Sequence, residues 1–194
     1  LAESSSRGLV WPTFRLKPDL SAPGSGILSA KSGSGADPVA ETGTSMAAPH
    51  VAGAAALLRQ ARPGWAVGEI KAALMNTAAG PMRATNGAAY PESRVGAGRL
   101  AVDAAMRTTV IVRGESNPGA VSLSFGPILA SSTVTRTQSV RVVNLGTTAA
   151  SYRVVSSNTL DQPGVRLLPR VREVTVAAGG SVASPRGRAA SAPD

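Results

Sequence analysis

Cysteine is absent from the 194-residue sequence. That excludes a disulfide framework and any thiolate metal site, while leaving the redox compartment open. Histidine occurs once, as His50, so His50 is the single imidazole the chain can offer as a base. Aromatic residues make up only 3% against 43% hydrophobic residues overall. A core must therefore be built from Ala, Val and Leu, which favours close helix packing and β-branched strands. No apolar run reaches about 18 residues, so no membrane-spanning helix is expected. Acidic residues are few: 11 against 20 basic ones, for a formal net charge of +9. Much of the excess is arginine scattered between Arg94 and Arg188, with no block of five or six like charges. That pattern reads as solvated surface. A nucleic-acid partner is not expected, because neither a binding motif nor a set of stacking aromatics accompanies the charge. The opening Leu1-Ala2-Glu3-Ser4 has no signal-peptide layout and reads as the interior of a longer chain.

What is present falls into two regimes. Residues 1–16 are punctuated by Ser, Gly and Pro and read as loop. Short strands are expected on either side of the Pro23-Gly24 turn, and residues 31–42 read as a surface loop. From Met46 to Gln60 the chain is Ala, Val and Leu on nearly every side, the pattern of a buried helix. Thr44 or Ser45 can cap it, Pro49 falls near its start, and Gly53 suggests a closely packed neighbour. A second helix is predicted over Val67–Thr77, with Ile70, Ala73, Leu74 and Thr77 on one face. Residues 79–96 read as loop, and Gly96–Met106 as a turn feeding a short helix. At about Thr108 helical periodicity gives way to short β-branched runs. Strands are expected over 109–113, 121–125, 134–144, 151–156, 165–168 and 173–176, with turns at Asn144-Leu145-Gly146 and Ala178-Gly179-Gly180. From Ser184 the composition is that of a disordered tail.

The stretch with chemical content is Gly43-Thr44-Ser45-Met46-Ala47-Ala48-Pro49-His50-Val51-Ala52-Gly53. A polar turn runs into an apolar helix, and a serine sits where the helix presents unpaired N–H groups and the positive end of its dipole. Such a position suits a nucleophile and the oxyanion it generates. A serine still needs a base to take its proton and a third group to orient that base. His50 is poorly placed for the task. Five residues along a helix is a rotation of about 500°, which leaves it roughly 140° from Ser45. His50 is therefore expected to be a buried structural histidine, not a catalytic one.

This segment resembles the active-site serine segment of the subtilisin-like serine proteases (subtilases, peptidase family S8). Its neighbours resemble that family in the same order. Ser5-Ser6-Arg7-Gly8 is similar to a family turn, and Lys17-Pro18-Asp19-Leu20 with Ala22-Pro23-Gly24 to its Lys-Pro-Asp…Ala-Pro-Gly segment. Trp65 and Glu69–Ala78 match the helix after the serine, and Gly96–Leu100 with Asp103-Ala104 match the close of the catalytic domain. The resemblance is collinear over about residues 1–107. The β-rich remainder resembles the fibronectin-III-like domain that follows the catalytic domain in many secreted members.

The resemblance implies an α/β fold of the subtilisin-like three-layer kind, helices around a parallel sheet, present in part and followed by a small β-sandwich. It divides the chain into 1–107, the C-terminal part of a catalytic domain; 108–184, a fibronectin-III-like domain short of strands and with an unpaired edge; and 185–194, a disordered tail. It makes Ser45 the nucleophile and Thr44 a supporting residue at the oxyanion. It implies protein or peptide substrates and an extracellular location. Family members order their triad Asp, His, Ser, with an oxyanion Asn before the Ser, and no Asn or His precedes Ser45 here. The chain is thus expected to hold the nucleophile without its base, and to be silent alone. No cofactor is expected; calcium often stabilises the family, but no Asp/Glu cluster suggests a site for it. A non-enzymatic binding or structural module is the alternative.

Overall fold

The computed structural model describes residues 1–115, 119–128, 131–160, 163–183 and 187–191. Strands β1 (Gly8–Val10) and β2 (Arg15–Lys17) form an antiparallel hairpin where loop was expected. Strands β3 (Ile27–Ala30) and β4 (Pro38–Glu41) form a second, β4 falling in the stretch read as a surface loop. Four helices follow: α1 (Thr44–Ala61), α2 (Val67–Asn76), the single turn α3 (Glu92–Val95) and α4 (Val102–Arg107). The remaining strands are β5 (Val110–Gly114), β6 (Val134–Gln138), β7 (Val140–Asn144), β8 (Ala150–Arg153), β9 (Val165–Leu168), β10 (Glu173–Val176), β11 (Ser181–Ala183) and β12 (Gly187–Ser191).

The architecture is mixed helix and strand, but the expected parallel sheet is not what the strands build. Every ladder between these strands is antiparallel, in sheets of two or three strands. Among the described residues, parallel pairing occurs at one isolated bridge, Ser21 to Arg99. Connection length accounts for part of this. Parallel neighbours need a crossover of a dozen or more residues, and the stretch from Ser21 to Arg99 supplies one by running through α1 and α2. The β1–β2 and β3–β4 pairs are joined by short connections and return antiparallel.

That bridge is a tight seam. Ser21 N donates to Gly98 O at 2.8 Å, Leu100 N to Ser21 O at 2.7 Å, and Ala97 N to Asp19 O at 3.0 Å. Gly96 has φ 63°, and a Cβ there would lie 2.5 Å from the Asp19 backbone. Only glycine combines that left-handed backbone with so close an approach.

Helix α1 differs most from its sequence pattern. It was expected to be buried all round; only Ala54 and Leu58 are, while Leu57 is 50% exposed. Pro49, Ala52, Gly53 and Ala56 are exposed as well. A Cβ on Gly53 would meet nothing within 4 Å, so the glycine marks no close neighbour. An apolar surface asks to be covered but does not supply the cover. Here the 54/58 stripe packs in one core with residues of α2 and α4, and the described residues place nothing over the far side. Helix α2, by contrast, matches its prediction within one residue and buries Ile70, Ala72, Ala73, Leu74 and Met75. Glu69 Oε2 accepts from Ala66 N at 2.8 Å, holding its first turn.

Two apolar clusters organise the packing, and β5 belongs to both. Ile111, fully buried, joins Ala54, Leu58, Ile70, Ala73 and Ala105 in the helical core. Its neighbours Val110 and Val112 point the other way, onto Val142, Val174 and Val176. This is the period-two alternation of a strand with both faces covered. Val112 N also donates to Asn76 Oδ1 at 2.6 Å, fastening β5 to the end of α2.

Within the β-rich part, the run expected as one strand over 134–144 breaks at Ser139. Its halves serve different sheets: β6 pairs with β12, and β7 with β5 and β11. The strand expected over 121–125 does not form. Its polar groups are used locally instead: Ser124 Oγ donates to Phe14 O at 2.8 Å, and Gln138 Nε2 donates to Ser124 O. The expected turn at Asn144 is built around a buried amide. Asn144 Nδ2 donates to Thr148 O and Val176 O, and Oδ1 accepts from Gly146 N. The tail expected from composition differs too. The backbone of β12 lies between β6 and β9, so a strand occupies part of the 185–194 stretch and β6 is not an open edge on that side. The rest of that tail lies outside the described residues.

Candidate active site

The junction between β4 and α1 is set by two glycines pressed together. Gly43 N donates to Gly24 O at 2.7 Å, and a Cβ on Gly24 would come within 2.7 Å of Gly43 O. Gly26 N adds a bond to Thr42 Oγ1 at 2.9 Å. The Pro23-Gly24 turn thus braces the residue from which the helix starts. Sequence reasoning marked Pro23-Gly24 as a turn and missed this second role, because close approach between distant backbones leaves no local signal.

The helix begins two residues earlier than its apolar pattern. Gly43 is the N-cap and offers no side chain, so neither Thr44 nor Ser45 caps the helix as expected. Met46 N and Ala47 N both donate to Gly43 O, at 3.1 and 3.3 Å. The N–H groups of Thr44 and Ser45 precede the first intrahelical acceptor, as first-turn amides do. Ser45 itself is exposed, with its hydroxyl free of any side-chain cap bond. Because the helix starts at Thr44, Pro49 lies in the second turn and not at the start. Lacking an N–H, it leaves the Ser45 carbonyl without its i+4 donor.

His50 is held as a hydrogen-bonded residue but is exposed, not buried. Its Nδ1 lies 2.8 Å from Met46 O. A carbonyl can only accept, so Nδ1 carries the proton and donates. The ring is thereby tied to its own helix one turn back. Burial was expected because the surrounding helix is apolar, and it fails because that face of α1 is uncovered.

A cavity of about 440 Å³ lies against the start of α1. Its wall includes Gly43, Thr44, Ala47, Pro23, Leu20 and Met82 and is mainly apolar. Thr44 lines it; Ser45 stands exposed beside it. Among the described residues no group of three or more His, Cys, Asp or Glu comes together to hold a metal ion. No helix of the described residues is long and apolar enough to cross a membrane.

These observations converge on one lineage. A family model described as "Subtilase family" matches residues 1–98, half of the chain, from the β1–β2 hairpin through the Gly96–Gly98 seam. The chain belongs to the subtilase family. Similar proteins include the minor extracellular protease Vpr of Bacillus subtilis (strain 168), 41% identical over 133 residues, which are 66% of this chain and 16% of that protein. Subtilisin-like protease SBT2.6 of Arabidopsis thaliana is 53% identical over 70 residues, 32% of this chain and 9% of its own length. Subtilisin-like protease SBT4.7 of the same plant is 41% identical over 116 residues, 52% of this chain and 16% of its own. The chain thus spans a small part of each relative.

Family membership gives the charged groups near the site a frame. Asp19, in the segment that leads to the Gly24 brace, accepts from Lys17 Nζ at 2.5 Å and faces Lys71 Nζ at 3.2 Å. Partial burial pushes its carboxyl up, but the two lysines outweigh that and hold its pKa below the usual aspartate value. The pair with Lys71 ties this segment to α2.

Proposed function

We propose that this chain supplies the nucleophile segment of a serine endopeptidase, with Ser45 as the attacking residue. The observation that carries the reading is an exposed serine in the first turn of an 18-residue helix whose leading N–H groups have no intrahelical acceptor. Ser45 Oγ would add to the carbonyl carbon of a peptide bond while a base takes its proton. The oxyanion would be met by the Ser45 N–H, with Thr44 supporting it at the cavity wall. The amine then leaves with a proton, and water releases the acyl group.

The base in this reading comes from outside these 194 residues. His50 does not serve, since its Nδ1 is engaged by Met46 O and it sits five residues along the helix. The chain alone is accordingly silent, and the whole protein is the protease. Its relatives' names include an extracellular protease and plant subtilisin-like proteases, and we extend to this protein protein or peptide substrates and an extracellular location. We assign 1–107 to the catalytic part and 108–184 to a fibronectin-III-like domain. Valines of β7 and β10, strands of different sheets, share one apolar cluster, which supports a sandwich there.

The test is active-site labelling with a fluorophosphonate. A longer parent protein should be labelled at Ser45, and Ser45→Ala should abolish both labelling and casein hydrolysis. The 194-residue chain should stay unlabelled. Undiminished hydrolysis by Ser45→Ala would remove Ser45 from the mechanism; stoichiometric labelling of the 194-residue chain would show that it carries its own base.

A further inference from the structure

A second cavity, of about 180 Å³, lies among β2, α2 and the 119–124 segment and shares no wall residue with the one beside α1. Three cationic side chains line it: Arg15 and Lys17 from β2, and Lys71 from α2. They face one carboxylate, Asp19. Both lysines converge on the same Asp19 oxygen, while Arg15 has no acidic partner among the described residues. Two positive charges are left in excess around a concave surface. Ser122 adds a hydroxyl to the wall, and Gln138 is fixed there by its bond to Ser124 O.

The volume limits the occupant. Sites for organic ligands run from about 300 to 1,000 Å³, so this one admits a group of a few heavy atoms. A guanidinium presents paired donors that match a tetrahedral or planar oxyanion, and an ammonium adds charge with freely turning donors. We propose that this cavity binds a phosphate-like dianion, with Arg15 as its main hydrogen-bonding partner, Lys17 and Lys71 supplying charge, and Ser122 a hydroxyl. The anion would join β2, α2 and the 119–124 segment, so its binding stabilises the folded chain in proportion to RT ln(1 + [L]/Kd). The shared chemistry is a phosphoryl dianion, either free in solution or carried as the head of a larger molecule.

Calorimetric titration of the 194-residue chain with inorganic phosphate, at constant ionic strength in chloride, tests this. The expected result is saturable binding and a Tm that rises with phosphate. Arg15→Gln should weaken binding at least about tenfold; Arg15 is exposed and unpaired, so the variant should fold as the parent does. Asp19→Asn should tighten binding, because it removes the one opposing charge. Glycerol phosphate distinguishes the sources: binding as tight as phosphate assigns the cavity to a carried phosphoryl group, and weaker binding to the free anion. No saturable binding beyond the chloride control, or equal affinity in Arg15→Gln, overturns the proposal.

Discussion

Ile111→Ala asks whether the helical layer that carries Ser45 and the β-rich layer behind it are one cooperative unit. Ile111 is fully buried in the helical core, while the residues on either side of it face the valine cluster. The substitution removes three carbons, worth about 2.4 kcal/mol at roughly 0.8 kcal/mol each. The cavity left behind adds to this, which places the loss at about 3–5 kcal/mol, near the upper part of the range for buried Ile→Ala changes. Ile111→Val, losing one carbon, should cost about 1 kcal/mol. The assay is urea unfolding followed by two signals in a Trp11→Phe background, since Trp11 is 78% exposed. Trp65, packed against the helical core, then reports that layer by fluorescence, and far-ultraviolet circular dichroism reports the whole. Both transitions should shift together by the same free energy. A loss under about 1 kcal/mol, or a shift confined to one signal, would refute the view that β5 couples the layers.

Three further outcomes are expected. In an active parent protein, His50→Gln should retain activity within about tenfold, since what it loses is one exposed hydrogen bond worth about 1 kcal/mol; a fall of several thousandfold in kcat, as for a triad member, would return His50 to the mechanism. Asn144→Ala should destabilise the chain by about 1–3 kcal/mol in urea unfolding, because the buried Val176 carbonyl and the half-buried bond to Thr148 O lose their donor and Gly146 N its acceptor; a neutral result would mean that water replaces the amide without cost. Asp19 has a folded pKa below its unfolded value of about 3.8. Between the two the unfolded chain binds more protons, so stability rises with pH there. The Asp19 contribution should be complete above about pH 4 and fade as pH falls through the lowered folded pKa; stability profiles of the parent and Asp19→Asn that stay parallel from pH 5 to pH 2 would remove it from the acid response.

Features that depend on neighbours along the chain were legible in the residues alone. Helix α2 followed from its apolar spacing, and the turn at Asn144 from the side chain's ability to bond its own backbone. The strands β9 and β10 followed from β-branched runs, and the Ser45 segment from eleven consecutive residues whose flanks keep the family's order.

What covers what came from packing between distant residues. Periodicity showed that α1 is apolar but not which of its faces has a neighbour, so the burial expected of His50 and the packing expected of Gly53 did not follow. The closeness of Gly24 to Gly43 and the meeting of Lys71 with Asp19 join residues 19 and 52 positions apart. Sheet direction belongs to the same class. A short connection forces the antiparallel return of β1–β2 and β3–β4, whereas the long connections of β5–β7, β7–β11 and β6–β12 leave direction open and packing makes those pairs antiparallel too. The alternation in β5 is legible in Val110-Ile111-Val112, but that one face meets helices and the other meets strands is a fact of packing, because a sequence can mark a surface as apolar without naming its partner.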